Sequence, residues 1–251
     1  MFKEFHYQVR GHGHIRDGTP VQDRTKYLSR GGVQVLCLAD GAGSASHSQF
    51  GAQAVVDEGC AALVEQFAEF ASSDDGVKVK MALLDRLVSK VASVAERHKV
   101  SPDDLASTFL CVAVSGDTFL GAHVGDGVVG FLKHGDLRVI SAPDNSEFAN
   151  QTTFVTSSRA LESMRLFRGS LNGVDGFILM SDGTGESLFD SRTGQLAKAC
   201  SKLISAVATA PGHQSKTSEH RKRLRRLVDI TIRNATKDDC SIGILGRAAI
   251  P

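Results

Sequence analysis

The 251-residue sequence has no apolar run long enough to cross a bilayer and no recognisable export signal. Its longest apolar runs, such as Val33–Ala39, have the length of a buried strand, whereas a membrane-spanning helix needs about 20 apolar residues. Met1 is followed directly by Phe2-Lys3-Glu4, without the basic and then apolar regions of a signal peptide. We therefore expect a cytoplasmic protein that has no membrane partner.

Cysteine pairs with the spacing of metal or redox motifs are also missing. The five cysteines are odd in number, and none belongs to a Cys-X-X-Cys pair. Most lie in apolar runs such as Phe109-Leu110-Cys111-Val112. This pattern favours small buried side chains in a reducing compartment over a zinc site or a catalytic thiol.

The sequence has no large excess of charge, since its net charge of +1 gives no general reason to expect nucleic acid or an acidic partner. The segment His213–Arg226 is an exception, because it is strongly basic with apolar residues between the charges. It is typical of a solvated helix face with an apolar underside, or alternatively of a docking surface for an acidic or phosphorylated partner. Because no aromatic residues alternate with the charges, we expect no nucleic-acid partner.

No linker rich in proline, glycine or serine divides the sequence, so we expect a single domain over residues 1–251. Apolar periodicity predicts helices over Phe50–Phe70, Val77–His98, Gln195–Thr209 and about Thr217–Arg233. The predicted strands are Val33–Leu38, Thr108–Val114, Thr118–Val124, Val128–Lys133, Leu137–Ile140, Thr152–Thr156, Arg165–Ser170, Gly176–Met180 and Ser241–Leu245. This order indicates an α+β fold rather than alternating βαβ units.

Aspartates at strand ends or tight turns, usually beside glycine, are the main chemical signal: Asp23, Asp40, Asp126, Asp182 and the Asp238-Asp239 pair. Asp40 and Asp182 each end an apolar strand, where an acidic side chain is unfavourable unless it has a function. A neighbouring glycine lets a backbone carbonyl approach an ion closely. Hard divalent cations prefer such oxygen ligands and would relieve the repulsion between converging carboxylates.

The motifs of several other enzyme classes are absent, including HExxH, the Walker A loop and GxSxG. Gly41-Ala42-Gly43 after a strand suggests a dinucleotide-binding loop. Ser46 stands in place of the third glycine of that motif, and two helices followed by antiparallel strands replace its βαβ continuation. A dinucleotide-binding fold is therefore disfavoured.

In order and spacing, the aspartate segments resemble the motifs of the protein phosphatase 2C (PP2C) family of metal-dependent serine/threonine phosphatases. The core matches are Asp40-Gly41, Val124-Gly125-Asp126, Met180-Ser181-Asp182-Gly183 and Asp238-Asp239-Cys240-Ser241. Three further segments resemble a compact bacterial branch of that family: His14–Asp23, Asp40–Ser46 and Asn150–Thr156. Together these segments extend over nearly the whole chain.

The resemblance implies a four-layer α-β-β-α sandwich of two antiparallel sheets flanked by helical pairs. It also implies Mn²⁺ or Mg²⁺ ions at one end of the sandwich. Their number is two, or three if a peripheral site is also filled. The implied reaction is attack of a metal-activated water on the phosphorus of phosphoserine or phosphothreonine in proteins. No covalent intermediate is required.

The resemblance also implies roles for individual residues. Asp40, Asp182 and Asp238 are expected to be catalytic: Asp40 bridges the two core ions, and the other two ligate the first ion. The carbonyl of Gly41 is expected to ligate the second ion. Two further aspartates are expected at the periphery of the site. Asp126 would share a third ion with Asp182, and Asp23 would act through water.

The sequence departs from the family at three positions. Gln22 replaces the glutamate that often precedes Asp23, which implies a looser hold on the second ion. Gly18 stands where many members have an arginine that grips phosphate, and Arg16 and His14 are the nearest substitutes. Ala42 stands where many eukaryotic members have a histidine that protonates the leaving group. His47 is then the nearest candidate for a general acid.

We predict a protein serine/threonine phosphatase whose partners are phosphoproteins, either a cognate serine/threonine kinase or the targets of such a kinase. Two alternatives remain open. One is a PP2C-like module with weak catalysis that senses a partner, which the presence of every core aspartate disfavours. The other is a two-metal hydrolase of a small phosphoester, which would use the same metal chemistry and has to be separated by substrate.

Overall fold

The structure is a computed structural model that describes residues 1–143, 152–211 and 218–248. Its strands are β1 (Phe2–Val9), β2 (Arg24–Arg30), β3 (Val33–Ala39), β4 (Phe109–Ser115), β5 (Thr118–Val124), β6 (Val128–Lys133), β7 (Asp136–Ser141), β8 (Arg165–Ser170), β9 (Val174–Met180), β10 (Phe189–Asp190), β11 (Gln195–Leu196) and β12 (Cys240–Arg247). Its α-helices are α1 (His12–Asp17), α2 (Ser48–Ser72), α3 (Gly76–His98), α4 (Ala160–Ser163), α5 (Asp182–Leu188), α6 (Ala199–Ala208) and α7 (Glu219–Leu227).

The long strands form two five-stranded sheets. The first sheet has the order β1-β12-β9-β6-β7 and the second has the order β2-β3-β4-β5-β8. Every paired strand in both sheets runs antiparallel to its neighbours. The short strands β10 and β11 pair only with each other.

The two sheets pack face to face, and β3 shows how their core is built. Alternate side chains of a strand point to opposite faces. Leu36 and Leu38 pack in a cluster with Phe177 of the first sheet, whereas Val35 and Cys37 pack in the cluster formed with the helices. Because both faces of β3 are covered, all seven of its residues are buried, which explains the continuous apolar run in the sequence.

Helices cover the outer face of each sheet. Helices α2 and α3 pack on the second sheet, while α6 and α7 pack on the first. The predicted α-β-β-α sandwich of two antiparallel sheets with helical pairs is therefore confirmed. None of the helices in the described part of the chain has the length and apolar character needed to span a membrane.

Three element predictions need correction. Thr152–Thr156 is not a strand: it is an irregular segment and turn, in which the buried Val155 donates its amide hydrogen to the Ser107 carbonyl. The helix predicted from Gln195 begins only at Ala199, because the preceding residues form β11. The last predicted helix is divided into α7, a π-helical turn and a short 3-10 turn, and its predicted first residue, Thr217, lies outside the described residues.

Strands β1 and β2 and the short helices α1 and α5 were not predicted. Both strands lie at the edge of their sheets and are only partly buried, with charged and polar residues among the apolar ones. An edge strand has one unpaired side and favours such residues, so its apolar alternation is weak. Helices of six and seven residues are too short to show a helical period.

Candidate metal centre

The ends of several strands bring the predicted aspartates together at one end of the sandwich. Arg24 of β2 pairs with Ala39 of β3, so the preceding Asp23 and the following Asp40 lie just beyond the same strand pair. In the other sheet, Met180 pairs with both Ile242 and Val128. The ends of β9, β12 and β6 therefore meet, which brings the residues just beyond them to the same edge of the sheet.

Three of these carboxyl groups perturb one another's ionisation. Asp40 is the central member of the three, since it interacts with both Asp23 and Asp182. Burial and the neighbouring charges of Asp23 and Asp182 raise the pKa of Asp40 well above its usual value. The pKa of Asp182 is also raised, first by burial and then by the charges of Asp126 and Asp238. All five predicted metal-site aspartates are thus linked electrostatically.

Asp23 is the most enclosed member of the group, with no exposed surface. Burial is the main cause that raises its pKa to about 7, and the charges of Asp239 and Asp182 add to it. Neither carboxylate oxygen of Asp23 has a hydrogen-bond donor. Two ionised carboxylates repel each other, so a proton or a cation would relieve the repulsion between Asp23 and Asp40.

The arrangement of donors fits divalent cations that prefer oxygen ligands. It offers several carboxylates around Asp40, buried acceptor oxygens without donors, and raised pKa values that a cation would reverse. Among the described residues, no group of three or more acidic, histidine or cysteine side chains is arranged to hold a metal ion. Other ligands, such as the carbonyl of Gly41, would therefore have to contribute.

Gly41 is held next to Asp40 by the start of α2. A Cβ atom at this position would lie 2.8 Å from Ser48 Cβ, so only glycine fits there without displacement. Ser48 Oγ in turn accepts a hydrogen bond from Gln22 Nε2 at 2.7 Å. The Asp40 amide donates to Thr108 Oγ1 at 2.9 Å, which fixes the end of β3.

Asp126 lies in the turn between β5 and β6. The turn depends on Gly125, whose φ of +116° favours glycine and whose absent Cβ would lie 2.5 Å from Thr108 Cγ2. The Asp126 carboxylate accepts a hydrogen bond from Thr152 Oγ1. This aspartate therefore contacts the segment between β7 and β8, while Asp40 lies among the other carboxyls.

The structure assigns a structural role to Asp239, a residue for which no separate role could be predicted from its motif. Its buried carboxylate accepts hydrogen bonds from the Gly11 amide at 2.7 Å and from the Gln22 amide at 2.6 Å. His14 Nδ1 lies 2.9 Å from its Oδ1. Asp239 thus joins the start of β12 to α1 and to the residue before Asp23.

The glycines at the start of α1 are the sequence signal that could have predicted the contact between α1 and the segment before β12. A Cβ at Gly11 would lie 2.2 Å from the Asp238 carbonyl oxygen, and one at Gly13 would lie 2.7 Å from that of Lys237. The Gly13 amide also donates to the Lys237 carbonyl at 2.8 Å. The Gly-His-Gly-His sequence therefore lets α1 lie directly on the backbone that precedes β12.

The candidate phosphate ligands on α1 differ in their surroundings. His14 faces the paired aspartates, with Nε2 3.8 Å from Asp238 Oδ1. Arg16 is 71% exposed and pairs with the neighbouring Asp17. Both residues line an open cavity of about 630 Å³ that also contains Asp238.

His47, the candidate general acid, precedes α2. Its Nδ1 lies 2.8 Å from Ser46 Oγ, and its ring stacks with Phe50 at 6.2 Å. His98 of α3 lies 6.4 Å away and completes this aromatic cluster. The described side-chain contacts of His47 are therefore a hydrogen bond with Ser46 and ring packing between α2 and α3.

Comparison with known sequences assigns the family. The sequence profile described as Protein phosphatase 2C matches residues 10–229. The chain belongs to the protein phosphatase 2C family. It is also 32% identical over 165 residues to Serine/threonine-protein phosphatase 3 of Escherichia coli (strain K12). That match covers 62% of this chain and 64% of the relative, so the chain spans less than two thirds of that protein's length.

Solved structures agree with the PP2C fold. The chain is similar to the serine/threonine phosphatase of S. agalactiae, with a TM-score of 0.67, 16% identity, and coverage of 98% of this chain and all of the other. It is also similar to the catalytic domain of the phosphatase PstP, which was solved with two manganese ions. The TM-score there is 0.65 at 18% identity, with 99% of each chain covered.

Proposed function

We propose that this PP2C protein is a metal-dependent protein phosphatase that hydrolyses phosphoserine and phosphothreonine in proteins. The observation that carries the proposal is the group of aspartates around Asp40: burial raises the pKa values of Asp23, Asp40 and Asp182, and neither carboxylate oxygen of the buried Asp23 has a donor among the described residues. Family membership supports the substrate class. The presence of every expected aspartate in the sequence argues against the alternative of a weakly catalytic sensor.

The residues would hold Mn²⁺ or Mg²⁺ as follows. Asp40 would contact both core ions, Asp182 and Asp238 would ligate one, and the Gly41 carbonyl would ligate the other. Asp126 would contribute to a third, peripheral ion together with Asp182. When bound, such ions acidify water and offset the charge of a phosphoryl group.

The protein's own side chains would prepare the site for this chemistry. Asp23 would orient water beside Asp40, since it is fully buried and neither of its oxygens has a donor among the described residues. His14 would keep Asp238 oriented and would contact the phosphate. Arg16 at the rim would add positive charge for an anionic substrate, and His47 would have to supply any proton for the leaving group.

The mechanism needs no covalent intermediate on cysteine. All five cysteines are buried, and burial raises the pKa of Cys240, which lies next to Asp239, to about 12. A thiol in this state is a poor nucleophile. We propose a cytoplasmic location with a serine/threonine kinase, or the targets of that kinase, as the source of substrate, and the free thiols support a reducing compartment.

Release of phosphate from a phosphothreonine peptide, measured with Mn²⁺ and with EDTA, tests the proposal. Nucleotides and sugar phosphates are assayed in parallel. Asp182→Asn keeps the shape of the side chain but removes the charge that a cation needs, so it should abolish turnover while the circular dichroism spectrum is unchanged. Preference for a small phosphoester, or near-normal turnover of Asp182→Asn at saturating Mn²⁺, would reject the assignment.

A further inference from the structure

Positive charge is concentrated in one segment of this nearly neutral chain. Residues 219–237 contain seven lysines and arginines but two acidic residues, whereas the whole chain contains 29 basic and 28 acidic residues. Arg221 is used inside the fold, where its buried guanidinium pairs with Glu4 at 2.8 Å. The other six cations of the segment remain to be explained.

The buried and exposed faces of this segment differ sharply. Arg221, Leu224, Val228 and Ile232 are buried against the first sheet. On the exposed side, Arg223 and Arg226 have no acidic partner among the described residues, and Lys222 pairs only with Glu219. The apolar side chains of Leu227 and Ile230 lie exposed in the same segment, at 39% and 52%. We call these exposed residues, with Arg233 and Lys237, the basic band.

The backbone of the basic band is itself unusual. After α7, Val228–Ile232 forms a π-helical turn and Arg233–Ala235 forms a 3-10 turn. A π-turn is less favourable than an α-turn and often occurs at functional sites. Here it leaves Ile230 in solvent while Val228 and Ile232 stay buried.

The basic band leads directly to the candidate metal centre. Asn234, at the end of the band, bonds His12 Nε2 of α1 at 2.9 Å. Asn234, Lys237 and Asp238 line the same open cavity of about 630 Å³. At roughly 1.5 Å per residue, Arg223 lies about 16 Å from Asn234 along the helical segment. An extended peptide covers that distance in about five residues.

We propose that the basic band binds an acidic, partly apolar segment of the phosphoprotein substrate, several residues away from the phosphorylated residue. The inference rests on the proposed phosphatase function and specifies its substrate. Unpaired arginines match acidic side chains, and Leu227 and Ile230 match an apolar side chain between them. The exposed side chains of the band are cationic and aliphatic rather than aromatic, which favours a peptide over single-stranded nucleic acid.

The test compares two phosphothreonine peptides of equal length. One carries acidic residues and one leucine five to eight positions from the phosphothreonine, and the other carries neutral polar residues there. The variant is Arg223→Glu with Arg226→Glu. The matched control is Lys78→Glu with Arg97→Glu, which makes the same change in charge at exposed positions of α3, on the opposite sheet.

The wild-type kcat/KM should favour the acidic peptide by about tenfold at low salt, because several exposed charge pairs add small increments. The Arg223/Arg226 variant should lose this preference, whereas the α3 control should keep it. Hydrolysis of p-nitrophenyl phosphate, which is too small to reach Arg223 or Arg226 from the metal centre, should be unchanged in both. The preference should also shrink as salt increases.

Binding of a fluorescent, unphosphorylated acidic peptide separates this inference from the proposed function. If the wild type hydrolyses neither peptide but still binds this probe through the band, the phosphatase proposal fails and the docking inference stands. Equal hydrolysis of both peptides, or a preference that survives the charge reversal, would overturn the docking inference alone. Band-dependent binding of RNA or of anionic lipid vesicles, without peptide binding, would also overturn it.

Discussion

Replacing Asp239 with alanine should strongly destabilise the metal-free protein. The side chain is 1% exposed, and its two oxygens accept hydrogen bonds from the buried Gly11 and Gln22 residues. Alanine would leave two buried amide donors unpaired, and each such donor costs about 1–3 kcal/mol. Relief of the repulsion between Asp239 and Asp23 would return part of this energy. We therefore expect a net loss of about 3 kcal/mol.

Urea denaturation in EDTA measures this effect without the stabilisation that a bound cation would add. A loss of about 3 kcal/mol corresponds to a melting temperature roughly 6–12 °C lower in a chain of this size. Asp239→Asn retains one acceptor oxygen and should be less destabilised than the alanine variant. Asp17→Ala is the control, since Asp17 is exposed on α1 and pairs with the exposed Arg16, so its loss should leave stability nearly unchanged. An Asp239→Ala variant as stable as this control would refute the reasoning.

Three other predictions concern the metal site and the thiols. Burial raises the pKa of Asp23 from 3.8 to about 7, so between pH 3.8 and about 7 the folded state binds a proton that the unfolded state releases. In EDTA, the stability of the protein should therefore fall as the pH rises through this range. In thermal melts, Asp23→Asn should flatten the dependence of stability on pH. An unchanged dependence would show that Asp23 is not the group that titrates. Iodoacetamide should leave turnover unchanged, because all five cysteines are buried; inactivation with the metals bound and the fold intact would indicate a cysteine mechanism. Asp40→Ala should abolish Mn²⁺ binding in calorimetry, whereas Asp126→Ala should keep tight binding but lose turnover, and equal losses of affinity would contradict that ranking.

The central strands and the large helices could be predicted because their environment imposes a simple pattern. Strand β3 is covered on both faces and is continuously apolar, while α3 buries one stripe of side chains that includes Leu83, Leu87 and Val91. The edge strands β1 and β2 lack such a pattern. Strand β1 takes its place in the sheet by pairing with β12, which is distant in the sequence. Strand β2 pairs with β3, whose apolar pattern differs from its own.

The same distinction applies to the aspartates. Asp40 and Asp182 could be recognised because each lies at the end of an apolar strand and beside a glycine, which is a local feature of the sequence. The convergence of Asp23 with Asp40 depends on the register of β2 and β3, in which Arg24 pairs with Ala39. The predicted group of aspartates is therefore found at one end of the sandwich, while the ligand roles within it stay predictions.

Asp238 and Asp239 show that a sequence motif does not reveal which of two adjacent acidic residues has which role. Successive side chains of an extended chain point in opposite directions, so one carboxylate faces the open cavity and is 46% exposed while the next is 1% exposed. Among the described residues, Asp238 accepts a hydrogen bond on Oδ1 only, from the Asp239 amide at 2.7 Å, whereas both oxygens of Asp239 accept backbone hydrogen bonds. Adding a cation at Asp239 would require breaking the bonds that hold α1 and Gln22. The junction formed by Asp239 thus keeps Asp23 and α1 in place, and this leaves Asp238 available to the metal centre.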